Sequence, residues 1–431
     1  VPYAPEQRYF DWCDLQFDPA VYAGRRTRML DALRPGGEVL IVPSRHGPAH
    51  FTFRQNDDFM YFTGLEFPDS ILVLDPEEGV VLYAPRRDSR FETVGRDNDF
   101  PGRPLADDPE IARRSGIDAI VPFEAFTGYL QRMIAAGRTF KVNPSSPAPL
   151  DAIRTNFIFN WDTAQGLVHH LRQTYPNIVL NSGFADVARQ RMVKGPEEIE
   201  ALHAAWRVTR DSVIATAPHI RPGIDERSLT GILEAEFKAR GAQRPAFDPI
   251  IKAGRNSLWA WRILASHYDR RNLPLVDGEL VVFDVGAELD HYICDIGRTF
   301  PVSGKFNDEQ KRRLDMVSVV VEKIIAASTP GATFADLKRV ALDALPPDQH
   351  EYMQVGSYFG HHIGLNSGDP SLLEQPLEPG MVFTVEPWYY NHDRQLAVFL
   401  EENIVVTDSK AIIISDGLPR DAAGLESLMR G

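Results

Sequence analysis

The chain has 431 residues, 43% hydrophobic and 25% charged, with 46 basic against 60 acidic residues and a formal net charge of −14. Such a length accommodates two domains and a large core. An acidic balance without a basic stripe disfavours nucleic acid and anionic membrane as partners, no apolar run reaches the roughly 18 residues of a membrane span, and two distant cysteines, Cys13 and Cys294, make no disulfide framework.

In chain order, the opening Val1-Pro2-Tyr3 has no signal-peptide character, and the cysteine usage fits a reducing, cytoplasmic setting. Residues 38–43 predict a short apolar strand, and residues 70–75 and 79–84 a hairpin around Pro76-Glu77-Glu78. Another strand is expected over 117–121 and a helix over 161–174. The run from Phe53 to Gly64 reads as a polar loop entering an aromatic strand. No cluster of chemically active residues stands out in this α/β part, so it reads as a scaffold or specificity domain over residues 1–190.

Residues 191–431 carry a more regular pattern. Pro196 suits a first helical position and Glu197 and Glu198 suit the positive helix end, with Ile199, Leu202 and Trp206 recurring at helical spacing. A second helix is expected from Asp225 to Gly241. Strands follow over 279–288 and 291–302. The order then recurs: Asn307 with Gln310 resembles a capping box, Thr333 with Asp336 caps a helix that ends at Pro346-Pro347, and strands return over 381–387 and 396–407.

In each half, two acids sit on apolar strands that should pair. A hairpin turning at Leu289-Asp290 sets Asp284 opposite Asp295, and one turning at Asp393-Arg394 sets Glu386 opposite Glu401. Directly opposed side chains lie about 5 Å apart at Cβ. Bare carboxylates so placed repel one another and are costly to bury. A single acid is more often a strand-end or surface residue, and Asp295 has Arg298 at hand as a simple ion-pair partner. Two matched pairs instead ask for cations, and mostly oxygen donors with one imidazole suit Mn²⁺ or Co²⁺, with Zn²⁺ as a third choice. The imidazole comes from Gly360-His361-His362-Ile363-Gly364. Neighbouring residues of an extended segment alternate faces, so at most one of the two histidines reaches the acids, and spacing does not choose between them.

These segments resemble the pita-bread metallopeptidases, specifically aminopeptidase P and prolidase. The resemblance covers most of the chain. It rests on Phe283-Asp284-Val285-Gly286-Ala287-Glu288, Asp295-Ile296-Gly297-Arg298-Thr299-Phe300-Pro301-Val302, Glu378-Pro379-Gly380-Met381-Val382-Phe383-Thr384-Val385-Glu386-Pro387 and Leu400-Glu401-Glu402-Asn403-Ile404-Val405, in that order. Phe53-Arg54-Gln55-Asn56-Asp57-Asp58-Phe59-Met60-Tyr61-Phe62-Thr63-Gly64 is similar to the aminopeptidase P N-terminal domain. The implied fold is an α/β N-terminal domain followed by an α+β pita-bread (creatinase/aminopeptidase) catalytic domain with a pseudo-two-fold αα-ββ repeat. The implied activity is that of a dinuclear-metal Xaa-Pro aminopeptidase, which releases the N-terminal residue ahead of proline by attack of a metal-activated hydroxide.

The resemblance also assigns roles. Asp284 chelates one metal, His361 and Glu386 bind the other, and Asp295 and Glu401 bridge. Glu386 moves the proton and His267 steadies the oxyanion or the substrate backbone, with His267, His362, Trp388 and Tyr390 taken as substrate-binding. Relatives are homodimers or homotetramers, and the partner is a proline-containing peptide.

Four family positions differ. Gly368 stands where a second histidine is usual, Ser357 where another often occurs, Phe399 where an arginine is common, and Trp388 where glycine is usual. The missing arginine bears on the alternative dipeptidase reading, because a dipeptidase must grip a free proline carboxylate, for which arginine is the natural bidentate partner. A non-catalytic binding module on the same fold is the alternative from another class.

Overall fold

The computed structural model describes residues 15–46, 53–85, 109–117, 119–144, 163–258, 272–353 and 360–431. Its chain divides into two compact units, Val1–Gln190 and Arg191–Gly431.

The first unit contains strands β1 (Val39–Pro43), β2 (Ile71–Asp75), β3 (Gly79–Ala84), β4 (Ala119–Pro122), β5 (Thr139–Val142) and β6 (Val179–Ser182). They form one mixed sheet in the order β4-β3-β2-β1-β5-β6. All five residues of β1 are buried, as expected of a central strand covered on both faces. Phe126, Leu130 and Met133 of the helix Ala125–Ala135, with Val168 and Leu171 of the helix Thr163–Thr174, share a core with Val39, Ile41, Val73 and Phe140. The predicted hairpin forms, pairing Asp75 with Gly79. The expected aromatic strand does not: Asp57–Thr63 is a helix. Asn56 caps it by accepting hydrogen bonds from the Asp58 and Phe59 amides at 3.0 and 3.2 Å. Asp57 and Asp58 lie in its first turn, and Gly64 ends it with φ +68°. Local capping chemistry thus overrides the strand preference of the aromatic run.

In the second unit the helices Pro196–Thr216 and Glu226–Ala239 precede one set of strands, and the helices Asp308–Ala327 and Phe334–Asp343 precede another. Each start has a visible cause. The Glu198 carboxylate accepts from the Gly195 amide at 3.1 Å, Asp225 accepts from the Ser228 amide at 2.9 Å, and Asn307 and Gln310 exchange two bonds of 2.9 Å. The strands are β7 (Arg244–Pro245), β8 (Ile250–Ala253), β9 (Leu280–Val285), β10 (Ala287–Leu289), β11 (Tyr292–Ile293), β12 (Ile296–Pro301), β13 (Val382–Val385), β14 (Trp388–Asn391), β15 (Leu396–Phe399), β16 (Glu402–Val406) and β17 (Ala411–Ile413). They pair as β11-β10-β7, β12-β9-β8, β13-β16-β17 and β14-β15. One core runs through both halves, from Trp206 and Leu233 through Phe283 and Phe300 to Val317, Phe383 and Ile404.

The second hairpin keeps the expected register: Val385 faces Glu402 and Trp388 faces Phe399, on either side of Glu386 and Glu401. The first hairpin is shifted. Gly297, not Asp295, faces Asp284, and Leu289 faces Tyr292. The turn is Asp290-His291, whose φ values of 49° and 69° are those of a tight hairpin turn matched to strand twist. The shift is two residues, so Asp295 stays on the Asp284 face; a shift of one would have parted them.

Candidate metal centre

The site lies where the hairpin strands are interrupted. Asp284 sits near the end of β9, Asp295 between β11 and β12, Glu386 between β13 and β14, and Glu401 between β15 and β16. His361 runs alongside β13: the Thr384 amide donates to the His361 carbonyl at 2.9 Å, and the His361 amide donates to the Thr384 hydroxyl oxygen at 3.0 Å. That hydroxyl donates in turn to Glu386 Oε1 at 2.9 Å. Thr384, unmarked by the sequence reading, therefore ties the histidine to one of the acids.

The five groups converge. His361 Nε2 lies 3.2 Å from Glu386 Oε1 and 3.5 Å from Asp295 Oδ2. Ligand atoms of Asp295, His361 and Glu401 lie within 4.8 Å of one another. Asp284 and Asp295 are within side-chain hydrogen-bond reach. His361 Nδ1 is 3.2 Å from the His362 carbonyl, which only accepts, and this leaves Nε2 turned toward the carboxylates.

Electrostatically the cluster is unbalanced. Burial, and then the charge of Glu386, pushes the Asp284 carboxyl well above the usual range. Burial followed by Asp284 and Glu386 does the same to Asp295, and burial followed by Asp295, Glu386 and Asp284 to Glu401. Asp295 Oδ1 and both Glu401 carboxylate oxygens are buried without a hydrogen-bond partner. Buried oxygen atoms of that kind, converging with an imidazole nitrogen, match what a hard or borderline divalent cation coordinates.

The remaining expected site residues divide. Tyr390 is buried and its hydroxyl is also without a partner; burial and the charges of Asp284 and Glu386 push its phenol far up. Trp388 stacks on Tyr390 at 5.5 Å and on Phe399 at 3.7 Å between ring centroids. Phe399 covers Gly297 so closely that a Cβ there would fall 2.2 Å from its ring. Trp388 and Phe399 thus form an aromatic shelf at the two positions where the resemblance led to the expectation of glycine and arginine. Gly368 is exposed in an Asn366 turn. His267 and Ser357 lie outside the described residues. The expectation that His362 meets substrate does not hold: it has no exposure, its Nδ1 is 3.1 Å from the Val382 carbonyl, and its ring packs on Phe334 and Phe383. Nor does Arg298 pair with Asp295; its carboxylate partner is Glu402, at 2.5 Å.

The model of metallopeptidase family M24 matches residues 200–408, and that of the aminopeptidase P N-terminal domain matches residues 22–142. The chain belongs to the aminopeptidase P family. It is a metal-dependent peptidase. It is 28% identical over 447 residues to the Xaa-Pro aminopeptidase of Escherichia coli strain K12, covering 94% of this chain and 96% of that protein. It is also 32% identical over 229 residues to the Xaa-Pro dipeptidase of Pyrococcus furiosus, covering 51% of this chain and 62% of that protein. Proline aminopeptidase P II of Yersinia pestis superposes with a TM-score of 0.76 at 24% identity, over 96% of this chain and 100% of that structure. The aminopeptidase P fold accounts for the recurring helix-pair and hairpin order of the second unit, which is the pita-bread domain.

Proposed function

We propose that the chain is a Xaa-Pro aminopeptidase that releases the first residue of peptides with proline second, with two divalent ions held by Asp284, Asp295, His361, Glu386 and Glu401. The observation that carries this reading is the convergence of those five groups around partnerless buried carboxylate oxygens. Asp284 would hold one ion and His361 and Glu386 the other, with Asp295 and Glu401 serving both. Mn²⁺ suits this donor set best, ahead of Co²⁺ and Zn²⁺. Bound there, the ions supply Lewis acidity that brings a water to the edge of ionisation near neutral pH.

The protein's own residues do the rest. Glu386, oriented by the Thr384 hydroxyl at 2.9 Å and slightly open to the site, accepts the water proton and returns it to the leaving proline nitrogen. His267 steadies the oxyanion or the substrate backbone. Tyr390 offers its partnerless hydroxyl, and Trp388 supplies a flat apolar wall. Such a wall suits proline, whose tertiary amide carries no N–H and whose φ is fixed.

The dipeptidase alternative is favoured by the Pyrococcus relative. Against it stand the match to the aminopeptidase P N-terminal domain, the Phe399 ring at the usual arginine position, and the absence of any Lys or Arg between His361 and Arg394. The scarce, distant cysteines support a reducing, cytoplasmic setting. Among the described residues no helix is long and apolar enough to cross a membrane.

The test is metal-stripped protein reloaded with Mn²⁺, Co²⁺ or Zn²⁺ and offered Xaa-Pro and Xaa-Pro-Xaa peptides side by side. Release of the first residue from the longer peptide is expected, together with loss of bound metal and turnover in Asp295→Asn. Cleavage of dipeptides alone overturns the aminopeptidase reading, and an Asp295→Asn protein with full metal content overturns the site.

A further inference from the structure

Arg298 and Asn403 are both buried, with 0% and 2% exposure, and neither takes part in the chemistry described above. Each nevertheless reaches from its own hairpin to the backbone of the other. Arg298, on β12, spends all five N–H groups. Nη1 donates to the Gly297 carbonyl at 2.8 Å and to the Glu401 carbonyl at 2.7 Å; Nη2 donates to Glu402 Oε1 at 2.5 Å and to the Leu418 carbonyl at 3.1 Å; Nε donates to the Pro419 carbonyl at 3.0 Å. Asn403, on β16, returns the contact. Its Oδ1 accepts from the Asp295 amide at 3.2 Å and from the Cys294 thiol at 3.4 Å, and its Nδ2 donates to the Asp295 carbonyl. The Glu401 amide donates to the Gly297 carbonyl at 3.1 Å, between the two clamps.

The ladders explain why side chains are used here. Asp295 falls between β11 and β12 and Glu401 between β15 and β16, so strand pairing is interrupted at both acids and their buried backbone groups need other partners. Burying an arginine and an amide is costly, and apolar residues serve a core's stability as well or better. What the two side chains provide instead is geometry: each pins the main chain at the acid of the opposite half.

We propose that Arg298 and Asn403 form a reciprocal clasp of positioning residues that sets the spacing of the Asp295 and Glu401 carboxylates, and with it the capacity of the site to hold two ions at once. The inference rests on the two-ion reading above and adds to it the residues that impose the spacing. The clasp joins segments 103 residues apart in the chain, so the site assembles when the two hairpins dock and not within either one.

The test is a Mn²⁺ titration with counted stoichiometry on full-length Asn403→Leu, Asn403→Ser and Arg298→Lys. Val406→Ala serves as a control that removes buried apolar volume from the same strand without touching the clasp. Wild type and Val406→Ala are expected to bind two ions. The clasp variants should be folded by circular dichroism, with the affinity for the second ion lowered 10- to 100-fold and kcat lowered more than KM is changed. Two ions bound at wild-type affinity by a folded Asn403 variant overturn the clasp alone. A comparable loss in Val406→Ala also overturns it, because the effect is then general destabilisation. If neither Asn403 variant folds in the presence of Mn²⁺, the amide holds the fold and not the ion spacing, and the proposal falls. Wild-type protein that binds fewer than two ions overturns the two-ion reading and the clasp together.

Discussion

Adjacent histidines show how a single residue's environment decides its chemistry. His361 directs its Nε2 at the carboxylates, whereas His362 sits between the Phe334 and Phe383 rings. Burial is the main reason the His362 imidazole falls from 6.5 to about 3, with the nearby Lys194 charge adding to it. The sign follows from linkage. The unfolded chain takes up this proton as the pH drops below 6.5 while the folded chain does not, so folding stability declines on acidification between 6.5 and about 3. Urea unfolding of metal-free protein should show about 1 kcal/mol more loss between pH 6.5 and 5.5 for wild type than for His362→Phe. Equal slopes for the two proteins would show that His362 is not the buried neutral base described here. The alternation of faces along an extended segment already allowed only one histidine to reach the acids, but not which.

Among the elements, a single local signal in the chain is followed by the fold, whereas two competing local signals leave the outcome to the stronger. The capping boxes at Asn307 and Thr333 appear as expected, because a side chain and an amide three residues on need no outside help. Between Asn56 and Gly64 the aromatic composition favoured a strand, yet the Asn56 cap and the left-handed Gly64 enclose one short helix. Gly64 is held there twice over: its φ is +68°, and a Cβ would lie 2.5 Å from the Tyr22 ring. Gly64→Ala should therefore destabilise the first unit by about 2 kcal/mol or more, beyond the roughly 1 kcal/mol usual for a left-handed cap. Thermal unfolding with Gly137→Ala as comparison checks this, since that glycine is also left-handed, at φ +72°, but has no atom in the way. Similar losses at the two positions would show that Tyr22 yields without cost. The shifted first hairpin is the complementary case, where the acids stay on one face despite a misplaced turn because side-chain orientation repeats every two residues.

For the whole molecule, three carboxyls held far above their usual range make the metal-free second unit a poorer fold than the loaded one. Binding that favours only the folded state stabilises it by mass action, by about 2.7 kcal/mol at ions one hundred times above Kd. Hydrogen exchange should then slow roughly 100-fold in the most protected amides of β9, β12, β13 and β16 when Mn²⁺ replaces a chelator. Unchanged exchange in those strands would mean that the cations bind elsewhere.

The amino-acid sequence by itself determined the helix starts, the alternating strands, the recurring helix-pair and hairpin order, and four acids lying on two hairpins, because each of these follows from periodicity or from contacts a few residues long. Only the tertiary structure decided that Arg298 serves Glu402 and four backbone carbonyls and not Asp295, and that Phe399 packs against Gly297. Those outcomes depend on how segments about a hundred residues apart dock, and burial, ring stacking and orphaned carboxylate oxygens exist only once they have done so.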